Sequence, residues 1–266
     1  MLSLTCVILL FGGSDSIKVV FMRREAQHSY CTDAEWIGRA DCKHCNIRNM
    51  MLFSGLPDAA FDRTLRPIDN FVYAPGACLY DEGQHGEAIF SIRRGLVKLL
   101  HLGADGSQRI LRLLGSGSAV GLELLDGGND YRHSAVAVNQ LDVCRIPVSA
   151  IAALEKEFPE LTRQERHRLQ EHLDRADEWI LTMGTGPARQ RVAHLLLFLS
   201  RYSADPNGDV ELLAGEDMAA IVGTSVETVS RIIAELKRRH LLNRVAAHLY
   251  RCDTAALEAI TKEAAD

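Results

Sequence analysis

The sequence has no excess of basic residues: its 35 Asp and Glu outnumber its 30 Lys and Arg, which gives a formal net charge of −5. This balance excludes a chain that binds nucleic acid over its whole surface, so any such interface must be local. Hydrophobic residues make up 47% of the chain and charged residues 24%, as is usual in a globular protein. With 266 residues the chain is long enough for two domains with separate cores.

A long apolar run is also missing. The longest, LTCVILLFGG at residues 4–13, is about half the length that a membrane-spanning helix needs, and no Lys or Arg precedes it as in a secretory signal. We therefore expect residues 1–21 to be an uninformative tail, with Met22 as a plausible alternative start. We expect the protein to be cytoplasmic and to have no contact with a membrane.

Enzyme motifs are absent from the sequence as well. There is no Gly-x-Ser-x-Gly, P-loop or dinucleotide fingerprint. A cupin-like metalloenzyme would need a His-x-His pair, but His85, His101 and His133 are scattered. We therefore predict that the protein is not an enzyme, and the cupin-like metalloenzyme is the alternative from a different class.

What is present, over residues 70–147, is a series of short apolar segments separated by glycine-bearing turns. The segments include EAIFSI, GLVKLLHL, QRILRLL, SAVAV and LDVCRIP. Nothing long enough for a βαβ crossover interrupts them. Regular short strands of this kind predict a β-roll or double-sheet jelly roll.

A helical pattern follows Pro147, and Pro159 is expected to kink the helix or to start a new one. In residues 162–184 a narrow apolar stripe runs along an otherwise charged helix, and the spacing of four, three, four and three predicts a dimerisation seam. The stripe consists of Leu169, Leu173, Ala176, Ile180 and Met183. The alternative is a helix that packs on its own domain. GTGP at residues 184–187 marks a domain boundary.

The segment EDMAAIVGTSVETVSRIIAELKRRHLL, residues 216–242, has the pattern of a helix-turn-helix. Ala219 is small where two helices would cross, Gly223 permits the tight turn, and Ser225 is positioned to cap the second helix. The buried face of that helix is predicted from the helical spacing of Val226, Val229, Ile233 and Leu236.

The opposite face of this second helix is polar. Glu227, Ser230 and Arg231 have the i, i+3, i+4 spacing that places them together, and their side chains suit base edges in the major groove. Between Glu227 and Arg251 there are six Lys and Arg against two Glu, a local net charge of +4. The predicted DNA-binding set is Ser225, Glu227, Thr228, Ser230, Arg231, Lys237 and Arg238. The alternative is an ordinary helical hairpin with a surface Glu227–Arg231 ion pair.

With a β-roll, a long helix and a C-terminal helix-turn-helix in this order, the chain resembles the CRP/FNR family of bacterial transcription regulators over roughly residues 40–252. VETVSRIIAEL is similar to the recognition helix of the FNR-like branch. The resemblance implies that Glu227, Ser230 and Arg231 read a TTGAT-like palindrome as a homodimer on double-stranded DNA, with RNA polymerase as a further partner.

The resemblance also implies an α+β fold. Its parts are a tail at residues 1–40, a β-roll sensor domain of the cyclic-nucleotide-binding type at 41–150, a dimerisation helix at 151–186 and a winged helix-turn-helix domain at 187–255. Cyclic nucleotide is not expected to bind. Leu122 follows Gly121 where the nucleotide-binding branch has an acidic residue, and His133, next to Arg132, occupies the Arg register.

The seven cysteines show no spacing of a small disulfide scaffold, and Cys42 and Cys45 form a Cys-x-x-Cys pair. The resemblance implies a [4Fe–4S] cluster on Cys42, Cys45 and Cys144, the last within DVCRIP, and switching by oxygen, redox state or nitric oxide. The third N-terminal ligand of the family pattern falls at Met51, and a thioether substitutes poorly for a thiolate.

Cys31 is therefore the expected fourth ligand, provided that TDAEWIGRAD is a loop that folds back, while Cys78 on a strand is less adaptable. The alternatives are a thiol/disulfide switch at Cys42 and Cys45, zinc bound through these cysteines and His44, or a vestigial site. Haem or a small ligand in the β-roll stays open as the signal.

Overall fold

The structure is a computed structural model that describes residues 17–21, 32–42, 44–45, 68–103, 108–158 and 161–263. The chain divides into two compact units. The first contains the residues up to Gln108 together with Leu113–Gln170, and the second contains Arg109–Arg112 together with Glu171–Asp266.

The strands of the sheet region are β1 Ile17–Phe21, β2 Thr32–Arg39, β3 Asp69–Tyr73, β4 Cys78–Tyr80, β5 Ala88–Arg94, β6 Val97–Leu102, β7 Gln108–Leu114, β8 Ala119–Val120, β9 Ser134–Ala137 and β10 Leu141–Pro147. A short 3₁₀ helix covers Leu122–Asp126. The later elements are α1 Val148–Glu157, α2 Leu161–Gly184, α3 Ala188–Tyr202, β11 Asp209–Glu211, α4 Gly215–Val222, α5 Val226–Arg238, β12 Leu242–Ala246, β13 Leu249–Cys252 and α6 Thr254–Thr261.

The strands β1 to β10 form two sheets. One has the order β1-β2-β3-β10-β5-β8 and the other the order β4-β9-β6-β7. Apolar side chains from both sheets form a shared core, which includes Ile92 and Val143 from the first sheet and Val97 and Ala135 from the second. The predicted β-roll is therefore confirmed.

Strand β10 shows how one strand serves two cores. Successive residues of a strand face opposite sides of the sheet. Val143 accordingly lies in the core between the sheets, whereas Cys144 and Ile146 lie in a second cluster that includes Ile151 and Leu154 of α1. Cys144 thus faces the helix-covered side of its sheet.

The prediction that TDAEWIGRAD forms a loop is wrong. Its residues Thr32–Arg39 form β2, which pairs with β3 from Ala34–Tyr73 to Arg39–Asp69. The segment is polar and lacks the alternation typical of a strand. Its pairing with β3, thirty or more residues later in the chain, is not visible in the local sequence. The expected tail is also corrected, because β1 pairs antiparallel with β2 within residues 1–40.

The second unit is mostly helical. Leu195, Leu196 and Leu199 of α3 are fully buried in it, and α6 packs against α3. The three-stranded sheet β11-β13-β12 completes the unit. Helix α6 extends past residue 255, where the sequence placed the end of the domain, because Leu257 and Ile260 are buried.

Candidate DNA-binding interface and cysteine cluster

Helices α4 and α5 form the helix-turn-helix. Helix α4 ends at Gly223, whose φ of 62° is left-handed, and the Thr224 amide then donates to the Ala219 carbonyl at 3.0 Å. A residue with a side chain is strained in this conformation, which is why glycine suits the turn. Ala219 is buried, as expected for a small residue near the crossing.

Ser225 caps the N-terminus of α5, as the sequence predicts. Its hydroxyl accepts a hydrogen bond from the Thr228 amide at 3.3 Å. Hydrogen bonds from the backbone amide of Glu227 and from the Ser225 hydroxyl lower the pKa of the Glu227 carboxyl. The first turn of α5 therefore carries an ionised acceptor next to its cap.

The outer face of α5 presents Glu227, Ser230 and Arg231, all of which are exposed. Val229, Ile233 and Leu236 are buried, as the helical spacing predicts. Val226 differs from the prediction, because its side chain is 42% exposed. It is the first residue of α5 and lies at one margin of the buried stripe, while the buried Ile232 lies at the other margin.

The remaining predicted DNA contacts differ in their surroundings. Thr228 is half-buried and accepts from Arg231 Nη2 at 3.5 Å. Lys237 Nζ donates to the Tyr250 hydroxyl at 2.9 Å and lies 4.4 Å from the centre of that ring. Arg238 is exposed. The Lys237 ammonium is thus bound to Tyr250 of β13, whereas the exposed Arg238 side chain can extend toward a phosphate.

A hairpin of β12 and β13 forms a wing beside the helices, and its residues were not among the predicted contacts. Arg244 and Val245 are exposed near its tip, and His248 has a left-handed φ of 61°. LNRVA does not alternate between apolar and polar residues, and no glycine, asparagine or proline follows it at the turn, so this hairpin has no clear local signal in the sequence.

Helix α2 exposes part of the predicted dimerisation stripe. Leu173 is 59% exposed and Ile180 is 64% exposed, while Leu169 and Ala176 are half-buried. Met183 does not fit the stripe, because only 6% of it is exposed. The C-terminal end of α2 packs within the second unit. There the rings of Trp179 and Phe198 lie edge to face, with 5.4 Å between their centres.

Cys144 lies on β10, and its thiol donates to Asn70 Oδ1 at 3.2 Å. Cys42 packs against the cluster that contains Cys144. Burial raises the pKa of the Cys144 thiol to about 12; Arg93 opposes this rise, whereas the nearby Cys42 and Cys45 thiols add to it. Cys42 and Cys45 therefore lie on the side of the sheet that Cys144 faces.

The other two cysteines that the structure describes do not join this group. Cys31 lies outside the described residues. Cys78 is buried on β4 in the other sheet, where its thiol donates to the Tyr80 carbonyl at 3.0 Å, and Cys252 belongs to the second unit. The three clustered sulfurs fit a thiolate-bound metal or cluster in their chemistry. Among the described residues, however, no group of three or more His, Cys, Asp or Glu side chains already has a geometry that could hold a metal.

The β-roll segment that would contact a cyclic nucleotide makes hydrogen bonds and a ring stack within the protein. Glu123, one position later than the expected acidic residue, accepts from the Arg132 amide at 3.0 Å. Tyr131 stacks on Tyr80 with 3.7 Å between the ring centres, and its hydroxyl donates to the Ala88 carbonyl at 2.6 Å.

Two family models match the chain. One describes a cyclic nucleotide-binding domain and covers residues 71–157, and the other describes a Crp-like helix-turn-helix domain and covers residues 190–260. A cyclic AMP receptor protein of Thermus thermophilus is 31% identical over 191 residues, which are 71% of this chain and 87% of that protein. The chain belongs to the CRP/FNR family of transcription regulators.

Other CRP/FNR proteins are similar as well. The nitrogen fixation regulation protein FixK of Azorhizobium caulinodans is 31% identical over 63% of this chain and 68% of its own. The structure of FixK2 from Bradyrhizobium japonicum shares the fold, with a TM-score of 0.65 and 24% identity over 74% of this chain and 99% of that chain. These relatives support the predicted class of DNA-binding regulator that typically dimerises. Among the described residues no helix is long and apolar enough to cross a membrane.

Proposed function

We propose that this CRP/FNR protein binds a TTGAT-like palindrome as a homodimer and that a redox-responsive cysteine site controls the binding. The observation that carries the DNA-binding part is the capped helix α5 with Glu227, Ser230 and Arg231 exposed on one face. The control part rests on the clustering of Cys42, Cys45 and Cys144 in the first unit.

The exposed side chains of α5 match the donors and acceptors of the major groove. Arg231 can donate a bidentate pair to guanine O6 and N7, and Glu227 can accept from cytosine N4. The ionised Glu227 carboxylate already accepts at the helix N-terminus, so a base amino group would share an acceptor that is held in position. Arg238 and Arg244 are placed to contact phosphates, which add affinity without sequence preference.

The cysteine site supplies the signal in this proposal. Cys42, Cys45 and Cys144 would hold an iron–sulfur cluster, and such a cluster, when bound, supplies chemistry that is sensitive to oxygen and nitric oxide. By holding the centre, the three cysteines would fix residues 41–45 on the helix-covered face of the sheet. The site would thereby couple the redox state to the DNA-binding form of the dimer.

Thiol oxidation is a second candidate for the signal, because Cys42 packs against the buried cluster that contains Cys144 and needs no metal to do so. In both cases the protein regulates transcription, contacts RNA polymerase and acts in the cytoplasm rather than as an enzyme. The Tyr80–Tyr131 stack and the bond from Tyr131 to Ala88 favour a β-roll that works without cyclic nucleotide.

Anaerobic purification followed by iron and sulfide assays and by fluorescence anisotropy with a TTGAT palindrome tests the proposal. We expect near-stoichiometric iron and sulfide, a visible band that bleaches in air, and a parallel loss of DNA affinity. Cys42→Ser should remove the band and the air response, whereas the control Cys252→Ser should keep both. A colourless protein with an air-sensitive affinity would support the thiol switch, and an affinity that neither air nor Cys42→Ser changes would overturn cysteine control.

A further inference from the structure

The side chain of Lys237 joins helix α5 to the wing. Its ammonium donates to the Tyr250 hydroxyl at 2.9 Å and lies 4.4 Å from the centre of the Tyr250 ring. A cation near an aromatic face is attracted by the electrons of the ring, and the hydrogen bond adds to this attraction. Tyr250 is only 9% exposed, so the surrounding core fixes its ring. Lys237 therefore binds a side chain that has little freedom to move.

Tyr250 lies opposite the wing arginine that is placed to contact DNA. Strand β13 is the middle strand of the sheet β11-β13-β12, and Tyr250 pairs directly with Arg244 of β12. Residues that are directly opposite in antiparallel strands have Cβ atoms about 5 Å apart. Arg244 is exposed, and its Nε donates to the Ala246 carbonyl at 3.2 Å. A single cross-strand pair therefore separates Arg244 from the residue that Lys237 binds.

Strand β12 depends on β13 for its position. Four of its five residues are exposed, and its pairing with β13 is irregular between Arg244 and Ala246. It also forms one edge of its sheet, so β13 is its only neighbouring strand there. An edge strand that buries few side chains has little local stability of its own. The position of Arg244 therefore follows that of β13, which Lys237 binds through Tyr250.

Helix α5 is also bound on its other side at the same level. Glu235 Oε1 is 3.2 Å from Arg189 Nε of α3. Glu235 and Lys237 are two residues apart, so their side chains leave the helix about 200° apart. The C-terminal half of α5 thus has a polar contact with α3 on one side and with the wing on the other.

We propose that Lys237 is a positioning residue, which binds Tyr250 and thereby sets the distance between the base-reading face of α5 and Arg244 of the wing. The inference rests on the proposed DNA-binding mode, in which Arg231 reads a base and Arg244 contacts a phosphate. Both arginines can serve one half-site only if helix and wing keep a fixed distance. Lys237 then adds affinity through Arg244, a role that differs from the direct DNA contact predicted from the sequence.

The test is a double-mutant cycle between Lys237 and Arg244 in the full-length protein. Fluorescence anisotropy at one fixed salt concentration measures the affinity for a TTGAT palindrome and for a scrambled duplex. We expect Lys237→Met and Arg244→Met each to weaken binding to both duplexes about five- to tenfold. Because Lys237 acts through Arg244, the double variant should bind within about twofold of Arg244→Met. Tyr250→Phe removes no charge and should still weaken binding.

The matched control is Arg238→Met, which removes the neighbouring exposed positive charge. Its loss of affinity should add in full to that of Arg244→Met, as expected for two independent phosphate contacts. Urea unfolding of each variant shows whether the second unit stays folded. A role in stability alone would lower the free energy of unfolding without coupling Lys237 to Arg244 in DNA affinity.

Three results would overturn the positioning role. Losses from Lys237→Met and Arg244→Met that add would make Lys237 an independent phosphate contact. An affinity that either single variant leaves unchanged would show that the wing is not positioned in this way. A wild-type protein with no preference for the palindrome would instead contradict the proposed base reading, while the cycle on the scrambled duplex would still test Lys237, because phosphate contacts do not depend on sequence.

Discussion

At the scale of single residues, side-chain oxygens define where the functional segments begin. Ser225 accepts from the Thr228 amide at the start of α5, and Asp253 accepts from the Ala256 amide at the start of α6. The first amides of a helix have no partner within the helix, so each cap removes an unsatisfied donor. Both caps follow from local sequence, because donor and acceptor are three residues apart.

We predict that Ser225→Ala destabilises the second unit by about 1 kcal/mol, the usual cost of removing a serine cap. Urea unfolding measures the change. Ser230→Ala is the matched control, since Ser230 is exposed on the same helix and caps nothing; it should change stability by less than about 0.5 kcal/mol. Equal losses in the two variants would contradict a capping role for Ser225.

Tyr131 carries a buried hydroxyl whose effect depends on pH. At neutral pH Tyr131→Phe removes the hydrogen bond to the Ala88 carbonyl, and we expect a loss of about 1 kcal/mol. Burial raises the pKa of Tyr131 to about 12 from the ordinary tyrosine value of 10.0. The folded protein therefore retains a proton that the unfolded chain loses above pH 10, so the wild-type protein loses stability as the pH rises.

The difference in stability between the wild-type protein and Tyr131→Phe should therefore shrink between pH 10 and 12. Denaturant unfolding at pH 7 and at several alkaline values checks this dependence. A difference that stays constant over the whole range would show that Tyr131 does not titrate as its burial implies.

At the scale of elements, α2 combines two surfaces that the sequence pattern merges into one stripe. Leu173 and Ile180 are seven residues apart and share an exposed face, whereas Met183 is buried within the chain. A heptad pattern records only that residues lie on one side of a helix. Whether a partner subunit or the same chain covers each residue depends on the neighbouring elements.

Charge on the exposed face of α2 should oppose dimerisation. We predict that Ile180→Glu raises the dimer dissociation constant at least about tenfold, because an unpaired carboxylate would be buried between two subunits. Sedimentation velocity measures the change. Leu181→Glu is the control, since Leu181 is similarly exposed but lies about 100° around the helix. If Leu181→Glu weakens the dimer and Ile180→Glu does not, the dimer uses a different face.

At the scale of the whole molecule, the proposed homodimer must place two recognition helices on two half-sites at once. The half-sites of such a dimer lie about one helical turn apart on the DNA. A homodimer can therefore read a palindrome although each chain carries one copy of α5 and has a net negative charge. The chain as a whole has a net charge of −5, so DNA phosphates should be attracted only to the locally positive surface of the second unit.

An operator with five extra base pairs between the half-sites should bind at least ~100-fold more weakly, since half a turn places the second half-site on the opposite side of the helix. Fluorescence anisotropy at one fixed salt concentration measures the affinity. An operator with the same number of substituted central base pairs and the original spacing is the control. Equal affinity for the original and the lengthened operator would indicate that each chain binds independently.

Features that depend on near neighbours along the chain can be predicted from the amino-acid sequence. The order of β-roll, long helix and helix-turn-helix, the cap at Ser225 and the turn at Gly223 all follow from periodicity and local hydrogen bonding. Those interactions span only a few residues, so the side chains that produce them are visible in a short window.

Features that depend on distant segments of the chain follow from the packing of the fold instead. Thr32–Arg39 is a strand because β3 and β1 supply its hydrogen bonds, and Met183 is buried because the rest of its unit covers it. Cys42 and Cys144 are about a hundred residues apart and meet because β10 turns one of its faces toward the segment that follows β2. Contacts of this kind leave no local pattern, so only the packing of strands and helices could show that Cys42 lies near Cys144.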